Sequence, residues 1–192
     1  MRRIARRIHM LCAAVTPVLV VFLALLTAGH LLAEENGIDW KALIQLYEGR
    51  GNLTTRERFE LAMAYANTGD VWGARREFET LERLGWREDA ATMIAEAEEK
   101  LLVQPDSLMD LNIVAFASFA LGDYEKSCAT FERILQVDPS NDWPRVFWAC
   151  TLGRLGRIDE GIEQLELVAK KRPFNLVVKA LLIYARTQRQ SD

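Results

Sequence analysis

The sequence predicts an all-α chain: a stack of helical hairpins preceded by an apolar N-terminal helix. Three observations carry this expectation. Pro105, Pro139 and Pro173 recur at intervals of 34 residues. The pair Leu121-Gly122 returns at that same offset as Leu155-Gly156, and each pair is followed by a run with apolar residues at helical spacing. Residues 11–33 form an apolar stretch of 23 residues behind a head carrying Arg2, Arg3, Arg6 and Arg7, with His30 its one strongly polar side chain.

The N-terminal region divides into a basic head, 1–10, and the apolar stretch, 11–33. About 20 apolar residues suffice to cross a bilayer as a helix, whereas a signal peptide has an apolar core of about 7–15 residues and a small-x-small cleavage site. Here Leu31-Leu32-Ala33 puts a leucine where a small residue is needed. The expectation is a retained signal anchor, a single-pass transmembrane helix. Arginines stay on the cytoplasmic side, and Glu34, Glu35 and Asp39 follow the span, so the N-terminus is cytoplasmic and the body extracytoplasmic. Cleavage after Thr27–Gly29 is the alternative, and it gives a soluble exported protein. Cys12 precedes the apolar core and does not match a lipid-attachment cysteine.

Residues 34–54 read as a short helix, 38–47, and a connector, Glu48-Gly49-Arg50-Gly51-Asn52. The repeat region follows, 55–192. Its first hairpin places Leu61, Ala62 and Tyr65 before a Gly69-Asp70 turn and Ala74, Phe78 and Leu81 after it. Gly69 and Gly122 are 53 residues apart, one period plus 19, which adds a helix over 88–103. That helix is either an unpaired insert or a shift of the pairing by one helix. The next helix, 108–121, opens at a Ser107 cap with Asp110 three residues on. Gly122 permits a tight reversal, Asp123 caps the following helix, and Cys128, Phe131, Ile134 and Leu135 share one face until Pro139 ends it. The pattern repeats over 143–155, Gly156, 158–171 and Pro173. A final helix ends in a polar tail, 186–192, suited to covering the end of a stack. About nine helices result, with boundaries good to a few residues.

A 34-residue period with small residues at Ala115 and Ala149, a Gly turn and a closing proline resembles the tetratricopeptide repeat (TPR) family over roughly 55–190. The resemblance implies a right-handed α-α superhelix, a TPR-like solenoid whose first helices line a concave groove for a protein or peptide partner. Carried over, the groove positions are Met109, Asn112, Phe116 and Phe119, then Trp143, Val146, Cys150 and Arg154, then Tyr184. Several family members clamp a terminal carboxylate with lysines and asparagines. This chain offers Asn112 and Arg154 but aromatic residues in place of the lysines, so an apolar or aromatic groove is expected. The competing reading is that Phe116, Trp143 and Tyr184 simply pack between helices. On the groove reading, joint replacement of Phe116 and Trp143 by alanine abolishes capture with the helices intact.

Other chemistries are poorly served. Residues 1–33 carry four basic residues and no acid, so the remainder holds 20 Lys/Arg against 27 Asp/Glu, a net charge of −7. That balance opposes binding to a nucleic-acid backbone. The two histidines, His9 and His30, lie in the leader, which removes Ser-His and Cys-His pairs from the body. Two body cysteines without a CxxC do not make a zinc site. No cofactor or metal is expected, and no enzymatic activity. Gly49–Asn52 lacks the lysine and Ser/Thr of a phosphate loop, Glu96–Lys100 reads as a solvated helix face, and Asp142 and Asp159 read as helix-start residues. Cys128 and Cys150 are either apolar filler or, on adjacent helices, a disulfide. The sequence does not fix the oligomeric state.

Overall fold

The computed structural model describes residues 37–189. The expected head and apolar span, and the last three residues, lie outside the described residues. Among the described residues, no helix is long and apolar enough to cross a membrane. They form nine α-helices: α1 (Trp40–Tyr47), α2 (Thr55–Thr68), α3 (Val71–Leu84), α4 (Arg87–Val103), α5 (Leu108–Leu121), α6 (Tyr124–Val137), α7 (Trp143–Arg154), α8 (Ile158–Lys171) and α9 (Leu176–Arg189).

The repeated sequence signals produce repeated local geometry. Gly69, Gly122 and Gly156 all adopt the left-handed conformation, with φ of 86°, 88° and 75°. After each glycine the next N–H reaches back over the helix end: Asp70 to Tyr65 O, Asp123 to Ser118 O and Arg157 to Leu152 O, at 2.9–3.0 Å. This closure satisfies carbonyls that a helix end otherwise leaves bare, and it reverses the chain within two or three residues. Asp70 and Asp123 then cap α3 and α6 through their side chains. The prolines also sit in one common setting. The residues before them, Gln104, Asp138 and Arg172, have nearly identical backbone angles (φ −124° to −128°, ψ 63° to 82°) and donate to the carbonyl four residues back. A residue preceding proline is driven out of the α region, which ends α4, α6 and α8 alike.

Consecutive helices pack on one another throughout, except at the step from α3 to α4. The helix over 88–103 is therefore not unpaired: α4 packs on α5, and the interruption falls just before it. Gly85 turns the chain in the left-handed conformation, and Trp86, 2% exposed, pins the corner with its ring 4.9 Å from Phe59. α3 opens like α6, on a Gly-Asp turn, and α4 closes like α6 and α8, before a proline. Two second-type helices thus follow each other without a first-type helix between them.

α2 compensates for that gap. It packs on α1 and α3 and also reaches α5 and α7. Phe59 and every residue from Leu61 to Asn67 are buried, as are Asp110 to Ser118 on α5. A helix buried all round needs partners for its few polar groups, and these form a chain of amides. Asn67 Nδ2 donates to Asn112 Oδ1 at 2.8 Å, Asn112 Nδ2 donates to Leu108 O at 2.8 Å, and Asn141 Nδ2 donates to Asn67 Oδ1 at 3.2 Å. Trp143 covers Gly69 so closely that a Cβ there would overlap its ring. α2 and the glycine at its end thus lie against Asn112 of α5 and Trp143 of α7.

Asp142 and Asp159 both lie at helix starts, as expected, but neither caps its helix through its side chain. Asp142 precedes α7 but makes no side-chain cap bond; it is buried and binds Lys171 Nζ at 2.7 Å, and Asn141 Oδ1 accepts from Trp143 N instead. Asp159 lies in the first turn of α8, which starts at Ile158 behind the N-cap residue Arg157. Residues 186–189 of the expected polar tail are exposed, and before them α9 buries Val178 and Leu182 but leaves Leu176, Ile183 and Tyr184 exposed.

Candidate functional site

The nine residues expected to line a groove separate into two groups. Asn112, Phe116, Trp143 and Val146 are buried and committed to internal contacts. Phe116 is the hub of an aromatic cluster, its centroid 5.9 Å from Phe78, 5.0 Å from Phe131 and 4.9 Å from Phe147. Trp143 lies between Gly69 and the Arg172 guanidinium, which sits 4.5 Å over its ring. Met109 is half-buried against the same core. α2 covers Asn112 through Asn67, and Gly69 at its end lies under Trp143, whereas Phe116 is enclosed by rings from α3, α6 and α7.

Phe119, Cys150, Arg154 and Tyr184 come together elsewhere, around a cleft of about 420 Å³ between the end of α5 and helices α7, α8 and α9. Its floor comes from Ala149, Cys150 and Gly153 of α7 and from Ile158, Gly161 and Leu165 of α8. Leu181, Tyr184, Ala185 and Gln188 of α9 form the far wall. Small residues create the space. Gly161 lets α8 approach α7 closely, since a Cβ there would meet Ala149 O at 3.0 Å. Gly153 instead faces open space. These two glycines, with Leu181 and Ala185, were missed in the sequence. The available signal was the Ala149-Gly153 pair, four apart and so on one helix face.

The rim at Arg154 is preorganised. Tyr124 Oη accepts from Arg154 Nε at 3.0 Å and from Nη2 at 2.7 Å, the guanidinium lies 5.1 Å from the Tyr124 ring centroid, and Phe119 stands edge-on to that ring at 5.5 Å. Tyr184, 65% exposed, stands across the opening. The cleft combines mostly apolar walls with one oriented cation, an arrangement suited to holding a ligand's apolar group and fixing its direction.

Nucleophilic chemistry is disfavoured at this site. Burial pushes the Cys150 thiol up to about 11, so little of it is thiolate at neutral pH. Among the described residues, no histidine or carboxylate lines the cleft. Cys128 is also a free thiol; its Sγ accepts from Trp148 Nε1 at 3.1 Å. Among the described residues, no cluster of three or more His, Cys, Asp or Glu is arranged for a metal ion.

No family model matches the chain, and no curated protein matches it. Among solved structures, the chain is similar to one titled MamA MSR-1, with 21% identity, 85% of this chain and 82% of that chain covered, and a TM-score of 0.46. It is also similar to one titled MamA AMB-1, with 18% identity, 84% and 78% coverage, and a TM-score of 0.44.

Proposed function

We propose that this chain is a non-enzymatic scaffold of TPR-like helical hairpins that captures a protein partner in the cleft between α7, α8 and α9. The cleft carries this reading: four of the expected groove residues line it, its walls are mostly apolar, and Arg154 stands ready at its rim for a carbonyl or carboxylate of the partner. An extended or helical segment projecting an apolar side chain toward Cys150 and Gly153 suits its size. The N-terminal stretch would tether the scaffold as a single-pass anchor, with the repeats extracytoplasmic and serving assembly or secretion of envelope components. Removal of the leader would instead give a soluble exported binder; the mass of the mature chain in membrane and soluble fractions separates the two.

Gly153→Phe tests the cleft, because a Cβ at Gly153 meets nothing within 4 Å and the added ring takes up space in the cleft that Gly153 lines. Crosslinking pull-down from native membranes should lose the partners held by the unsubstituted chain while the unfolding midpoint stays within a few degrees. Unchanged capture would remove the cleft from the account.

A further inference from the structure

We propose that the corner between α8 and α9, together with the outward face of α9, docks on an anionic lipid surface. Charge is the first observation. Residues 167–189 hold six Lys/Arg and no Asp or Glu, whereas residues 34–166 hold 14 Lys/Arg against 26 Asp/Glu, a net −12. A distinctly cationic segment thus ends a distinctly acidic body.

The apolar surface is the second. At this corner Phe174 is 89% exposed and Leu176 78%, and two turns further along α9 Ile183 is 68% exposed. Leu176, Ala180 and Ile183 follow helical spacing on the side opposite Val178 and Leu182, which are buried. Lys171 and Arg186 are held by Asp142 and Glu166. Lys170, Arg172 and Lys179 form no ion pair among the described residues, and Lys179 Nζ lies 6.0 Å from the Phe174 ring centroid. A projecting ring, an apolar helical stripe and unpaired cations at one place are the elements of an interfacial membrane contact.

Shape favours a bilayer over a protein. Among the described helices α9 packs extensively on α8 alone, so its outer side is the convex back of a single helix. Such a surface does not enclose a partner helix, whereas headgroups close around a projecting Phe174. The cleft uses Leu181, Tyr184 and Ala185, so this surface is independent of it.

The test places the photoreactive analogue p-benzoylphenylalanine at Phe174 in the full chain. The chain is reconstituted into phosphatidylcholine vesicles with and without about 30% phosphatidylglycerol, enough to give a strongly negative surface. Irradiation should yield a phospholipid adduct that depends on the anionic lipid. Each cation near such a surface contributes about fivefold, so Lys170→Glu with Lys179→Glu should cut that adduct by about 20-fold or more, with helical content unchanged. Three results would overturn the proposal: an adduct to a second copy or another protein, equal lipid adducts in neutral vesicles, or no adduct.

Discussion

Glycines on neighbouring helices show how single atoms decide this structure. Gly153→Ala should stabilise the chain by about 0.5–1 kcal/mol, because it removes backbone freedom inside α7 and meets nothing. Gly161→Ala gains the same propensity but forces a methyl onto Ala149 O, and should be net destabilising by about 1–2 kcal/mol. Thermal denaturation of the two variants measures the contrast. Phe116→Ala removes the ring joining three others and should cost about 3–5 kcal/mol. The Phe116/Trp143 double substitution is therefore a folding defect and not a clean probe of capture. Titration provides another residue-scale test. Burial and the Glu60 hydrogen bond push the Tyr47 hydroxyl from 10.0 to about 12, and burial pushes Cys150 from 9.0 to about 11. Both groups fold in their neutral forms and ionise more readily unfolded. Their contributions are present in full below the unfolded values and are lost as pH rises through the folded ones. Stability should fall between about pH 9 and 12, and Tyr47→Phe should flatten the upper part of that decline, as followed by denaturant titration.

At the scale of helices, most of the pattern was legible in the sequence. The prolines and Leu-Gly pairs specify helix ends through backbone rules that act within a few residues, so their spacing translated directly into turns. Pairing at α4 was not legible, because packing partners depend on long-range contacts that a local signal does not encode. The position of α2 was missed for a related reason, although a trace was present. From Leu61 to Ala66 the helix has no polar stripe, as expected of one covered on all sides. The Arg58–Glu77 ion pair, which joins α2 to α3, offers a check on that junction. Buried Glu77 receives Arg58 Nη1 at 2.6 Å and Arg76 Nε at 3.0 Å. Glu77→Ala leaves Arg58 largely buried without its partner and should cost about 3–5 kcal/mol in chemical denaturation.

Across the described residues, two interlocked consequences follow from placing α2 inside. It lies against Asn112 and, through Gly69 at its end, Trp143, and it leaves the cleft among α7, α8 and α9 as an accessible concave surface. Four of the nine expected groove residues, Phe119, Cys150, Arg154 and Tyr184, line that cleft; Asn112, Phe116, Trp143 and Val146 do not. The asparagine chain is the seam holding the arrangement, since Asn112 and Asn141 complete the Asn67 amide that otherwise donates only to Met63 O of its own helix. Hydrogen exchange, resolved by residue, tests this most directly. Amides of α2 from Phe59 to Asn67 should exchange only through global unfolding, together with those of α5 and far more slowly than those of α9. Exchange of α2 as rapid as that of α9, with α5 still protected, would mean that α2 leaves the inner face open and would contradict the account.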